Sequence, residues 1–256
     1  QGFSLHLPGK ADPAFSWPEG LRLCDSARHR RKLNRGTHRA NAFVIRATRF
    51  SGERAAVEQR LQAIMAAGVP NYFGEQRFGR GAGNLVRGSE WLSGGEAPRK
   101  KSLRGLWLSA VRSDLFNRVL AERVTRGVWN QVLEGDLLQP EGSRGLFRAD
   151  EDSDAGRRVA EAEVHPTAPL PGVPGMASSG PCRDLEQQVL APFESVIEGL
   201  CREGVEEARR ATRLPVRDLQ WAWRQEREGE DCLELAFVLP TGAFATTVMS
   251  ELIRSQ

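Results

Sequence analysis

The chain predicts an α+β fold in which one sheet is assembled from strands near both ends and a mostly helical subdomain is inserted between them. Three observations lead there. Residues 41–50 alternate apolar and polar in the manner of a strand, and residues 219–239 do so again on either side of a polar turn. The stretch between them is dominated by helical spacing. The shifts in pattern place residues 1–67 and 219–256 in one unit and residues 68–218 in the insert.

Taken in order, residues 3–7 and 21–24 read as short strands separated by a Pro- and Gly-containing stretch at 8–20. Residues 41–50 form a better strand, rich in β-branched and aromatic side chains. Ser51 can cap a helix that begins near Glu53, carries Val57, Leu61, Ile64 and Met65 on one face, and stops at Gly68-Val69-Pro70. A short helix follows at 84–91. A longer one at 106–124 carries Leu108, Val111, Leu115, Val119 and Leu120 near helical spacing. Residues 136–182 are rich in Gly, Pro and Ser and read as loop. Two further helices are expected at 184–200 and 204–212. Leu219, Trp221 and Trp223 then alternate with polar residues, a turn occupies 226–230, and 232–239 completes a hairpin. A closing helix at 243–254 opens with Phe244.

Composition narrows the classes of function. With 256 residues and 40% apolar content, the chain is long enough for one large domain or two modest ones. No apolar run reaches the roughly 18 to 20 residues of a membrane helix, which with the absence of a signal-like start predicts a cytoplasmic protein with no membrane partner. Cys24, Cys182, Cys201 and Cys232 form no C-x-x-C pair, and His6, His29, His38 and His165 form no H-x-x-x-H. Neither a disulfide framework nor a metal is indicated. A Cys-His or Ser-His hydrolase, built on Cys24 or Ser109 with His29, lacks a G-x-S-x-G elbow.

The net charge of +3 conceals an asymmetry. Residues 1–100 carry 17 Lys+Arg against 8 Asp+Glu, and only four of the 36 basic residues are lysines. Arginine forks suit bidentate phosphate contacts and stacking on bases. Residues 28–39 hold Arg28, Arg30, Arg31, Lys32, Arg35 and Arg39 with no acid among them, a pattern that fits a loop tracking phosphates as well as a solvated surface run.

The most unusual stretch is Asn71-Tyr72-Phe73-Gly74-Glu75-Gln76-Arg77-Phe78-Gly79, after the helix-ending Gly68-Val69-Pro70. Aromatics, amides, an arginine and two glycines together suggest a site, although the rings could equally pack a junction between subdomains. The following Arg80-Gly81-Ala82-Gly83-Asn84 reads either as a phosphate nest or as a hinge.

This stretch resembles the signature of the TruD family of tRNA pseudouridine synthases. Further motifs follow in the family's order: Ala27-Arg28-His29-Arg30-Arg31-Lys32-Leu33, Asn41-Ala42-Phe43, Leu106-Trp107-Leu108-Ser109-Ala110, Leu115-Phe116-Asn117, Ala121-Glu122-Arg123, Glu207-Ala208-Arg209-Arg210-Ala211 and Pro240-Thr241-Gly242-Ala243-Phe244-Ala245-Thr246. The resemblance implies a pseudouridine synthase-type mixed or antiparallel sheet domain interrupted by the TRUD insert. It implies conversion of uridine 13 of certain tRNAs to pseudouridine with no cofactor, by a monomer.

By that resemblance Asn41, Phe43 and Phe244 bind the substrate uridine, and the cluster at 28–39 with Arg77 binds RNA. Read without it, Asn41 is also a turn residue before a strand, Phe43 a core aromatic and Phe244 a helix-packing residue. An aromatic platform holding an extruded base contributes roughly 1 to 3 kcal/mol. The family's nucleophile is an aspartate within Lys-Asp-Lys, upstream of a glutamine that Gln1 matches. No Lys-Asp-Lys occurs in the 256 residues, so the chain alone is expected to lack activity. The alternative is a non-catalytic tRNA- or RNA-binding module, which needs the same basic and aromatic residues but no nucleophile.

Overall fold

The computed structural model describes residues 39–48, 53–225 and 231–252. The strands expected at 3–7 and 21–24, the Ser51 cap and the turn at 226–230 lie outside these. Along the chain run β1 (Ala40–Thr48), α1 (Arg54–Ala67), β2 (Val69–Pro70), α2 (Gly83–Leu92), α3 (Lys101–Thr125), β3 (Leu137–Pro140), β4 (Phe147–Arg148), α4 (Ala155–Ala160) and β5 (Val164–Leu170). Then come α5 (Gly180–Leu190), α6 (Glu194–Arg202), β6 (Ala208–Ala211), β7 (Arg213–Leu214), β8 (Arg217–Gln225), β9 (Asp231–Pro240) and α7 (Ala245–Leu252).

β1, β9 and β8 form one antiparallel sheet in that order, so strands from opposite ends of the described chain lie side by side. The alternation explains which face is covered. Phe43, Ile45 and Ala47 stand opposite Phe237, Leu235 and Leu233, and Trp221 and Trp223 of β8 continue the row. Helices α1 and α7 close over this face through Leu61, Ile64, Val248 and Leu252. Trp223 adds a polar tie, its Nε1 donating to Glu58 Oε1 at 2.8 Å.

Gly68 ends α1 with φ +73, and a Cβ there would stand 2.5 Å from the Leu214 carbonyl oxygen. The chain thus turns sharply into β2, which among the described residues pairs with β7 alone. Beyond this pair lie separate apolar clusters. One joins Phe73, Phe116, Val119, Leu120, Ala168 and Leu185, and another joins Leu92, Val111, Leu115, Val196 and Leu200. The long helix α3 contributes to both.

Three expectations need correction. Residues 204–212 are not a helix but contain β6, because Arg209 and Arg210 alternate toward different partners. Arg209 donates to Thr167 Oγ1 and pairs with Glu186, whereas Arg210 donates to Asn71. Residues 136–182 are not mainly loop: β3, β4 and β5 join β6 in a four-stranded sheet ordered β4-β3-β5-β6. Pro166 and Pro169 in β5 cannot donate to a ladder, but Pro166 O accepts from Thr212 N at 2.9 Å, and Thr167 Oγ1 donates to Leu137 O at 2.7 Å. The single helix expected at 184–200 is two, α5 and α6, separated by the turn Ala191–Phe193 that contains Pro192. Helices α1, α2, α3 and α7 and the hairpin of β8 with β9 stand where the spacing put them.

Buried polar networks brace the segment between β2 and β7. Arg123 and Asp136, both fully enclosed, make two parallel 2.8 Å hydrogen bonds. Asp136 also accepts from Leu133 N at 2.7 Å and from the Cys182 thiol at 3.1 Å. Burial, then the charges of Asp136 and Glu186, push that thiol far above the ordinary cysteine range, which leaves it a neutral donor.

Candidate nucleic-acid interface

The stretch at 71–79 is the meeting point of residues that lie far apart in sequence. Asn117 of α3 holds Phe73 at both backbone groups: Phe73 N donates to Asn117 Oδ1 at 2.9 Å, and Asn117 Nδ2 donates to Phe73 O at 2.9 Å. Eight residues earlier on the same helix, Ser109 Oγ accepts from Arg77 Nη1 at 3.0 Å. Asn71 is anchored from β6, its Nδ2 donating to Ala211 O at 2.8 Å and its Oδ1 accepting from Arg210 Nη2 at 2.5 Å. From the other side α7 leans in. Thr247 Oγ1 donates to Tyr72 O at 3.4 Å, and a Cβ on Gly74 would lie 3.6 Å from Thr246 Oγ1.

These contacts bind the loop tightly and set its electrostatics. Phe73 sits edge-on to Phe116, with ring centroids 5.5 Å apart, and two guanidinium groups approach it: Arg210 at 4.2 Å and Arg77 at 5.0 Å from the ring centroid. Burial first, and then the charge of Arg77, pull the Arg210 pKa down to about 10. Burial and the nearby Glu251 push Tyr72 up to about 12. The next run, residues 80–84, leads into α2 through a short 3-10 turn and a left-handed Ala82 at φ 56.

The substrate-binding candidates lie on the sheet and at its junction with α7. Antiparallel register sets Ala40 opposite Pro240 and Asn41 opposite Leu239, so Asn41 lies at the sheet end from which β9 runs into α7. Thr241 N donates to Arg39 O at 3.3 Å across that end. Phe244 immediately precedes α7 and remains 39% exposed, an aromatic face open to a planar ligand. Phe43 lies one pleat inward, half-buried and stacked on Phe237 with centroids 5.5 Å apart, so it also serves the core. Arg39 and Arg77 are placed as described. Arg28, Arg30, Arg31, Lys32 and Arg35 lie outside the described residues.

Asn71, Ser109, Asn117 and Arg210 were not among the predicted site residues. A signal for two of them exists in the sequence. Ser109, Ser113 and Asn117 recur every fourth residue on a helix that is otherwise apolar on that face. Among the described residues no group of His, Cys, Asp and Glu side chains is arranged to hold a metal ion, and no helix is long and apolar enough to cross a membrane. The arrangement suits anion binding and ring stacking.

The fold and site define an α+β protein whose separated motifs close on one loop of arginines and aromatics. A family described as tRNA pseudouridine synthase D (TruD) matches residues 14–86 and 97–252. Over 255 residues the chain is 46% identical to the tRNA pseudouridine synthase D of Ectopseudomonas mendocina (strain ymp) and 45% identical to that of Stutzerimonas stutzeri (strain A1501). These alignments cover 99% of this chain and 71% and 72% of the two relatives. A solved structure of the putative tRNA pseudouridine synthase D (TruD) from Methanosarcina mazei superposes with a TM-score of 0.75 at 20% identity, covering 90% of this chain and 72% of that one, which supports the fold. The chain belongs to the TruD family of tRNA pseudouridine synthases, an isomerase family.

Proposed function

We propose that the chain serves the isomerisation of uridine 13 to pseudouridine in tRNA, with the uridine held between the sheet end that carries Asn41 and Phe244 and the loop at 71–79. The observation that carries this reading is the convergence of four separate motifs on the loop at 71–79, through Ser109, Asn117, Arg210 and the adjacent pair Thr246 and Thr247 just beyond Phe244. An enzyme acting on a base within folded RNA must extrude it and grip it. Phe244 supplies a stacking face, Asn41 reads the polar edge of uracil, and Phe43 backs the site. Arg39 and Arg77, with Arg28, Arg30, Arg31, Lys32 and Arg35, hold phosphates.

The reaction needs a carboxylate nucleophile, which attacks the nucleoside so that uracil is released, turns and rejoins through carbon. We assign that role to an aspartate outside these 256 residues, so the chain alone binds tRNA without converting it. Residues 1–67 with 219–256 form the catalytic domain and 68–218 the insert, a division supported by the separation of the apolar cluster under the β1–β9–β8 sheet, which takes in Val69 and Leu214 of the β2–β7 pair, from the cluster around Phe73 and Phe116. The protein acts as a cytoplasmic monomer with tRNA as its partner.

The experiment is to incubate the chain with a tRNA carrying uridine 13 and to measure both binding and pseudouridine content. Binding without conversion is expected. Robust conversion would show that the nucleophile lies within the 256 residues, and absence of binding would remove the RNA assignment.

A further inference from the structure

Among the enclosed arginines, Arg213 is held by neutral acceptors, His165 Nδ1 and the carbonyls of Val159 and Val164, whereas two others face an anion. Arg123 pairs with Asp136, and Arg209 pairs with Glu186. Arg210, the residue after Arg209, does not. Its Nη2 donates to Asn71 Oδ1 at 2.5 Å and its Nε to Asn71 O at 3.4 Å, both neutral acceptors, and its Cζ lies 4.2 Å from the Phe73 centroid and 5.8 Å from that of Phe116. Arg77 approaches the same ring at 5.0 Å and donates only to the hydroxyl of Ser109. Neither guanidinium reaches a carboxylate among the described residues.

Two like charges gathered on one ring, one of them largely desolvated, repel each other. Their mutual effect is visible in Arg210, whose affinity for its proton is lowered by burial and by Arg77. Folding does not compensate this from within. Arg210 Nη1, and Nε and Nη2 of Arg77, keep donor capacity with no partner among the described residues, and none of them is sealed in as an unsatisfied buried atom.

We propose that Arg77 and Arg210 together form a seat for one phosphodiester of the bound RNA, with Phe73 as its floor and Asn71, Ser109 and Asn117 as its supports. A phosphodiester carries two non-bridging oxygens, one for each fork, and its single negative charge offsets the repulsion between the arginines. Because Tyr72 and Gly74 on the same loop touch α7 just beyond Phe244, the phosphate held here belongs to the strand close to the extruded nucleotide. This inference rests on the tRNA reading above and adds to it the residue Arg210 and the shared, single contact.

The test is the salt dependence of tRNA binding by the 256-residue chain, read by fluorescence anisotropy across a potassium chloride series. The double variant R77Q/R210Q should reduce the slope of log affinity against log salt by about 0.7 to 0.9, the value of one phosphate contact rather than two. R210K, which keeps the charge, should retain the slope. Should R210Q fail to fold, as judged by circular dichroism, R77Q alone must still lower the slope. An unchanged slope in folded variants that still bind tRNA overturns the seat and leaves the tRNA reading intact. Failure of the unsubstituted chain to bind tRNA even at low salt overturns both.

Discussion

Asn117 grips Phe73 by both backbone groups, accepting from its N–H and donating to its carbonyl, each at 2.9 Å. A carboxamide fitted to one residue in this way acts as a short piece of β-ladder supplied by a helix. It fixes the ring that Arg77 and Arg210 approach, so a residue that need not touch RNA sets the geometry of the two proposed to hold phosphate.

Asn117→Ala should therefore leave two half-buried backbone groups without partners. An unsatisfied group of this kind costs about 1 to 3 kcal/mol. A urea unfolding midpoint is expected to fall accordingly, with tRNA affinity reduced in the folded fraction. A variant as stable as the parent would show that the loop is held by other means.

The Arg123–Asp136 pair offers a second stability test. Arg123→Met leaves Asp136 ionised and enclosed, a change expected to cost about 3 to 5 kcal/mol. Adding Asp136→Leu should recover part of that loss by removing the stranded charge. Calorimetric melting of the single and double variants would reveal the recovery, and a double variant worse than the sum of its parts would contradict it.

Glu141 gives a pH dependence. It accepts from His165 Nε2 at 2.6 Å and pairs with Arg217, and the His165 hydrogen bond is the main reason its pKa lies below the ordinary 4.5. His165 Nδ1 accepts from Arg213 Nε at 3.0 Å, which assigns the ring proton to Nε2. A depressed carboxylate stabilises the fold fully above its unfolded pKa and loses that contribution as pH falls through the lower folded value. The melting-temperature gap between the parent and Glu141→Gln should thus narrow as pH is lowered below about 4.5. A gap constant down to acid pH would argue against the linkage.

Gly68→Ala tests the sharp turn into the β2–β7 pair. Its left-handed φ and the 2.5 Å approach to Leu214 O leave no room for a methyl group. A left-handed non-glycine residue alone costs roughly 1 to 2 kcal/mol, so a larger fall in unfolding free energy is expected. Tolerance of alanine would mean that the pair can shift.

How far the fold was legible depends on where each element gets its partners. β1, β8 and β9 have a period-two pattern because one face is buried, and α3 has its apolar stripe for the same reason. β6 was illegible because Ala208-Arg209-Arg210-Ala211 suits a helix locally, and only the approach of Glu186 to Arg209 and Asn71 to Arg210 selects the strand. β5 was obscured by Pro166 and Pro169, whose lost donors matter little where Thr167 and the Pro166 carbonyl make the ties. In the site, the strangeness of residues 71–79 was visible at once. The contribution of Arg210 was not, because it depends on a contact across 139 residues of sequence.

The central claim is that the uridine is gripped between the sheet end carrying Asn41 and Phe244 and the loop at 71–79. It is tested most directly by photocrosslinking a tRNA that carries 4-thiouridine at position 13 to the chain, followed by peptide mapping. Adducts are predicted on the peptides containing residues 39–43 and 241–246, and they should disappear with Phe244→Ala. Adducts confined to peptides outside residues 39–43, 71–79 and 241–246 would contradict the account.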